Sequence, residues 1–71
     1  MTRTIVKVDG MMCSMCEAHI NDAIRRNFNV KKVKSNRKRK ETVIESEWAL
    51  DQDLLKKTIE DTGYIFLGIE E

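Results

Sequence analysis

The stretch GMMCSMC, residues 10–16, is the most informative part of the chain, because a strand pattern precedes it and a helical pattern follows it. Before it, β-branched residues alternate with polar ones over Thr2–Asp9, which predicts a strand. After it, apolar residues recur at helical spacing to about Asn27, which predicts a helix. Ser14, with Glu17 three residues later, predicts a capping box at the start of that helix.

The rest of the chain supplies four further predicted elements. Two strands, residues 30–35 and 41–47, are joined by the polar turn 36–40. A helix follows the cap residue Asp51 and ends at Gly63, and residues 64–69 form a last strand. The order strand, helix, strand, strand, helix, strand is that of an α+β, ferredoxin-like sandwich, in which two helices cover one face of a four-stranded antiparallel sheet. We expect residues 1–71 to form one such domain.

This topology makes a geometric prediction about the connections. With the strand order 4-1-3-2, three loops lie at one end of the molecule, namely residues 10–15, the hairpin turn 36–40 and residues 62–64. Both cysteines, a basic turn and Tyr64 are therefore expected to share that end.

Composition narrows the class of protein. The chain is 41% apolar and 35% charged, as expected of a soluble globular protein. No apolar run approaches the roughly 18 residues that span a membrane, and the first residues lack the apolar segment of a signal peptide. The sequence therefore predicts a cytoplasmic protein with no membrane insertion.

Basic residues are concentrated in the middle of the chain, although the net charge is only +1. Residues 25–40 contain nine basic residues and no acidic one, an asymmetry that concerns partners more than fold. The predicted central strands lack the aromatic side chains on which RNA-recognition sheets stack bases, so we expect no nucleic acid partner. A solvated face is the plain interpretation, and docking to an acidic protein surface is the functional one. The docking residues would be those of the hairpin turn: Arg37, Lys38, Arg39 and Lys40.

Both cysteines of the chain lie in the stretch GMMCSMC, as the Cys-x-x-Cys pair Cys13 and Cys16. A strand-to-helix turn holds two such thiols close enough for one soft metal ion, and a helix N-terminus favours the thiolate form. Thiolates select Cu(I), Zn(II) or iron–sulfur clusters over hard cations. A redox Cys-x-x-Cys is the main chemical alternative, but this chain lacks the proline that accompanies thioredoxin-type sites.

The motif resembles that of the heavy-metal-associated domain family over almost the whole chain: Val8-x-Gly10-Met11-x-Cys13-x-x-Cys16 and the distant pair Gly63-Tyr64. That family includes bacterial copper chaperones and the N-terminal domains of copper-transporting P-type ATPases. The resemblance implies a metallochaperone and not an enzyme, with one Cu(I) on Cys13 and Cys16. It also implies transfer by thiolate exchange to a metal-transporting P-type ATPase or another Cys-x-x-Cys acceptor, and the basic hairpin turn predicts that this acceptor has an acidic face. A Zn(II), Cd(II) or Hg(II) protein of the same fold is the alternative.

Four further residues around the motif are candidates for auxiliary roles. The resemblance implies that Met11 anchors the loop in the core and that Tyr64 stands near the metal loop and shields it. Met12 occupies a position where copper members of the family carry a small polar residue and zinc- and cadmium-exporting relatives often carry an aspartate. His19, one helical turn after Cys16, is either a solvated surface residue or a third or dimer-bridging ligand, since imidazole binds copper and zinc.

The last predicted strand is apolar on both faces. Simple alternation places Ile65, Leu67 and Ile69 on the face of the sheet that the helices leave open, together with Ile5 and Val43. A sheet covered on one side normally carries polar residues on the other. We therefore expect either an association through this face or a different register, and hence a monomer or a weak homodimer.

Overall fold

The computed structural model describes residues 1–70 and contains one four-stranded antiparallel sheet and two helices. The elements are β1 (Thr2–Asp9), α1 (Ser14–Asn27), β2 (Lys32–Asn36), β3 (Glu41–Ser46), α2 (Gln52–Asp61) and β4 (Ile65–Glu70). The strands lie in the order β2-β3-β1-β4, and each neighbouring pair is antiparallel. The predicted ferredoxin-like sandwich and its strand order are confirmed. Of the two helices in residues 1–70, neither has the length and apolar character that a bilayer crossing demands.

The core lies between the sheet and the two helices. Its buried members come from alternating positions of the strands and from one side of each helix: Val6, Val8, Met11, Ile20, Ile24, Val33, Ile44, Leu55 and Ile59. Burying a side chain of this size stabilises the fold by about 1.5–3 kcal/mol. Leu54, which the sequence pattern assigns to the same apolar face of α2, is 39% exposed and stands at its margin.

The two helix starts differ in how well the sequence predicts them. Asp51 caps α2 as predicted, because its carboxylate accepts the backbone N–H groups of the next turn. At α1, however, Cys13 is the extended N-cap residue, Ser14 is the first helical residue, and no side chain caps the helix. The Glu17 carboxylate instead accepts hydrogen bonds from the backbone N–H and the guanidinium of Arg37. The capping-box prediction is therefore wrong, because a distant partner occupies Glu17.

A register shift in β4 corrects the prediction for the last strand. Between Phe66 and Gly68, β4 advances by two residues while β1 advances by one, so Leu67 is an extra residue in the ladder. Gly68 has a φ of +134° there, a conformation that only glycine adopts easily. The shift turns Ile69 toward the helices, where it packs against the core. The placement of Ile69 on the open face is wrong, whereas Ile65 and Leu67 do remain exposed.

Candidate metal centre

The two thiols face each other at the start of α1. The Cys13 and Cys16 sulfurs are 3.7 Å apart, and neither is in a disulfide. The backbone sets this distance, since Cys13 is the N-cap residue and the Cys16 N–H donates to its carbonyl at 3.1 Å. Metal–sulfur bonds of thiolate sites are about 2.3 Å long, so one ion can contact both sulfurs. Cys13 is exposed and Cys16 is half-buried, which leaves the pair open to a partner from one side.

Tyr64 stands against the half-buried thiol and makes it more acidic. Hydrogen bonding from the Tyr64 hydroxyl, followed by that from the backbone N–H groups of Met12 and Cys13, lowers the pKa of Cys16 to about 7. The same contact raises the pKa of Tyr64 to about 12, so its hydroxyl keeps its proton and stays a donor. Near pH 7 about half of Cys16 is therefore thiolate, the form that binds metal.

This arrangement predicts a pH effect that depends on one hydroxyl. Because only the thiolate is alkylated, the rate for Cys16 in the apo protein should rise with pH through a midpoint near 7. Tyr64→Phe removes the main donor to the thiolate, so the midpoint should move up toward the ordinary cysteine value of about 8.5. Iodoacetamide labelling, with Cys13 and Cys16 resolved by peptide fragmentation, measures it. An unchanged midpoint in Tyr64→Phe would mean that the backbone donors alone set the acidity of Cys16.

The two separated halves of the sequence motif meet at Gly10. Its φ of +97° is in the region that glycine adopts most easily, and a Cβ at this position would lie 3.5 Å from Cδ1 of Tyr64. Any other residue would strain the turn at this φ, and its Cβ would make an ordinary van der Waals contact with the tyrosine ring. Gly10 therefore serves the site by letting the cysteine loop bend beneath Tyr64.

The remaining candidate ligands lie at different depths around the thiols. Met11 is only 9% exposed and packs in the core, whereas Met12 is 83% exposed. His19 is exposed on α1, one turn beyond Cys16. The Asp9 carboxylate accepts the Gly10 N–H at 2.8 Å. Within residues 1–70 no group of three or more His, Cys, Asp or Glu side chains could hold a metal ion, and the donors that the structure does bring together are the two thiols.

The basic hairpin turn lies beside the cysteine loop, as the topology predicts. The Arg37 backbone N–H and guanidinium donate to Glu17 at 2.7 and 3.2 Å, directly next to Cys16. The Lys40 carbonyl accepts the Val8 N–H at 2.9 Å, and the Lys40 ammonium is 3.8 Å from the Asp9 carboxylate. The sequence carries no local signal for the Glu17–Arg37 pair, because its members are 20 positions apart.

The family model of the heavy-metal-associated domain matches residues 5–64. With a ferredoxin-like sandwich and a Cys-x-x-Cys pair at the first strand-to-helix turn, the chain belongs to this family of metal-binding domains. No curated protein gives a significant sequence match.

Solved structures of several proteins share the fold over nearly the whole chain. The yeast copper transporter domain CCC2A, studied in apo and Cu(I)-loaded states, is 29% identical with a TM-score of 0.84, covering 97% of this chain and 94% of its own. The CopZ metallochaperone is 22% identical with a TM-score of 0.83, and the coverage is 93% and 100%. Oxidized MerP from Ralstonia metallidurans is 24% identical with a TM-score of 0.80, and the coverage is 99% and 97%. The last two likenesses concern the fold alone.

Proposed function

We propose that this chain is a cytoplasmic metallochaperone that carries one Cu(I) between the thiolates of Cys13 and Cys16. The observation that carries the proposal is the pair of sulfurs 3.7 Å apart at the exposed start of α1. Cu(I) is a soft ion that thiolates select. Two thiolates satisfy its preference for linear coordination once the sulfurs move apart from 3.7 Å to about 4.6 Å, twice the length of a metal–sulfur bond. The lowered pKa of Cys16 supports the proposal, because a thiol that is already partly ionised at neutral pH has less proton to release when a metal binds.

The donor set also bears on the competing metals. Zinc prefers four ligands in a tetrahedron, and the loop brings together two. The Asp9 carboxylate is engaged by the Gly10 N–H and lies near Lys40, and the exposed side chain before Cys13 is a soft thioether in place of a carboxylate. These features favour Cu(I) over Zn(II) and Cd(II). Hg(II) is also soft and accepts two thiolates, so it is the second candidate.

Transfer would proceed by ligand exchange with a Cys-x-x-Cys acceptor, such as a metal-transporting P-type ATPase with an acidic face. A thiolate of the acceptor adds to the copper before the bond to Cys13 or Cys16 breaks, so the copper remains Cu(I) and no disulfide forms. The exposed position of Cys13 supports an approach from that side. The hairpin residues Arg37–Lys40 lie beside the loop and would orient an acidic partner, which raises the association rate. This activity is binding and transfer and not catalysis, and it needs only a monomer or weak homodimer.

Loading under anaerobic conditions tests the metal. The protein should bind one Cu(I) per chain, with two sulfur neighbours in X-ray absorption, and should retain it against a Cu(I) chelator that strips free copper. Parallel loading with Hg(II) and Zn(II) ranks the alternatives. The proposal is contradicted if Hg(II) or Zn(II), and not copper, accompanies the protein from metal-supplemented cells.

A further inference from the structure

The four cations of the hairpin turn differ in what they contact. Arg37 pairs with Glu17 of α1 at 3.2 Å, and Lys40 lies 3.8 Å from Asp9 at the end of β1, so both contact the elements that flank the cysteine loop. Lys38 and Arg39 form no ion pair within residues 1–70.

The turn that presents Lys38 and Arg39 is held in one shape. Both of their backbone N–H groups donate to the Asn36 side-chain oxygen, at 3.0 and 3.1 Å. Lys38 and Arg39 therefore lie at the tip of a hydrogen-bonded turn, whereas Arg37 and Lys40 form ion pairs next to the cysteine loop.

More cations without ion-pair partners continue from the turn along β2. Lys32 and Lys34 are exposed and alternate with the buried residues Val33 and Ser35. Because neighbouring side chains of a strand point to opposite faces, both lysines lie on the face of the sheet that the helices leave open. β2 is also an edge strand, since its only sheet neighbour is β3.

These lysines line a groove with a third cation. Arg3 of β1 pairs in register with Glu45 of β3, and Glu45 pairs in register with Lys32, so the three form one row across the open face. The groove has a volume of about 270 Å³ and is lined by three cations, one carboxylate and one valine: Arg3, Lys32, Lys34, Glu45 and Val43. None of its cations has an ion-pair partner among residues 1–70. The three cations outnumber the single carboxylate, and this excess of positive charge favours an anionic surface.

We infer that an acidic protein surface docks on the tip of the hairpin and on the open sheet face behind it, and not on the helices. We call this surface the basic face, defined as Arg3, Lys32, Lys34, Lys38 and Arg39. Arg37 and Lys40 remain docking residues of the hairpin, but they are left out of this definition because their charges are paired with Glu17 and Asp9. The inference rests on the proposed function only for the kind of partner, an acidic protein that must also reach the thiols.

The molecule is small enough for one partner to cover both the tip of the hairpin and the open face of the sheet. A typical partner covers about 800 Å², a patch roughly 30 Å across, and the longest dimension of this molecule is 30 Å. A protein surface suits this face better than a nucleic acid does, because β1, β2 and β3 carry no aromatic side chain on which a base could stack.

An NMR titration of the metal-free protein with poly-L-glutamate tests this assignment without involving copper. Amide shifts should be concentrated in β2, the hairpin turn and the start of β1, and should disappear at high salt. The variants Lys32→Glu/Lys34→Glu and Lys38→Glu/Arg39→Glu should each weaken the interaction by at least roughly tenfold. Lys56→Glu/Lys57→Glu on α2 makes the same change in net charge at exposed lysines and should leave it within about twofold. Dispersed amide spectra of all three variants confirm folding.

Three results would overturn the inference. One is a set of shifts centred on the α2 lysines, and another is an equal loss of binding in the α2 control. The third is the absence of any localised amide shift with poly-L-glutamate. If a single-stranded oligonucleotide of equal charge then shifts the amides of the basic face, the partner is a nucleic acid and not an acidic protein. Since no metal is present, each of these leaves the copper proposal standing, and failure of copper binding leaves this test unaffected.

Discussion

Replacing either Cys13 or Cys16 by serine should lower the affinity for Cu(I) by more than roughly 100-fold, beyond the 10- to 100-fold typical of losing a supporting residue around a metal. A serine hydroxyl is a hard and neutral donor, so the variant keeps one thiolate and leaves the ion open to any competitor. Cys13 is exposed, and Cys16 is half-buried and packs against the core without belonging to its buried set, so the variants should fold. Anaerobic competition with a Cu(I) chelator measures the loss.

Met15→Ala is the matched control for these variants. Met15 stands between the two cysteines and is 67% exposed, so its truncation alters the same loop without removing a thiol. It should retain wild-type affinity within a few-fold. Wild-type affinity in either serine variant would contradict the two-thiolate site, and a loss in Met15→Ala as large as in the serine variants would indicate that the loop conformation and not the thiols holds the copper.

The parts of the fold that the sequence predicts well are those that local spacing determines. The thiol pair follows from one helical turn between Cys13 and Cys16, and the α2 cap follows from Asp51 and the two N–H groups just after it. The strand order follows from the alternation of strands and helices, and it correctly brings the cysteine loop, the hairpin turn and Tyr64 to one end.

The two wrong predictions arise where a distant partner or a strand bulge overrides a local sequence pattern. Glu17 has the correct spacing for a capping box, but Arg37 offers it both a backbone and a guanidinium donor, and charged hydrogen bonds are the stronger ones. Ile69 has the parity of an open-face residue, but the bulge at Leu67 reverses that parity for the rest of the strand. Gly68 is the one local sign of that bulge, since an isolated glycine in a strand pattern often marks one.

The acidity of Cys16 is a third feature that needs the folded chain. A helix N-terminus alone predicts some lowering of a thiol pKa, and the structure adds Tyr64 as the largest contributor. The sequence indicates that Tyr64 lies near the loop, but it does not indicate which of the two thiols the hydroxyl reaches. The consequence is an asymmetric pair, in which Tyr64 lowers the pKa of the half-buried sulfur of Cys16 and the exposed sulfur of Cys13 is the more accessible.

Metal selectivity should respond strongly to the residue before the first thiol. Met12 is 83% exposed and its backbone N–H contributes to the acidity of Cys16, so a side-chain substitution changes the donor set without removing that contact. Met12→Asp adds a carboxylate beside the two thiolates. This supplies zinc or cadmium with a third ligand toward the four that zinc prefers, whereas a Cu(I) ion held linearly by two thiolates needs no further ligand. The ratio of zinc to copper affinity should therefore rise by at least roughly tenfold, because a direct ligand should contribute no less than the outer-shell partners whose loss costs about 10- to 100-fold.

Met12→Asn is the control for this variant, because asparagine has the size of aspartate but no negative charge. It therefore separates the effect of carboxylate ligation from the effect of removing the methionine side chain. It should leave the zinc-to-copper ratio close to that of the wild type. X-ray absorption of the zinc-loaded Met12→Asp protein should show an added oxygen neighbour that the asparagine variant lacks. If the wild-type monomer already holds zinc in a closed four-ligand site that includes Asp9 or His19, the donor-count argument for copper fails, because the loop then supplies zinc with the ligands that the apo geometry keeps apart.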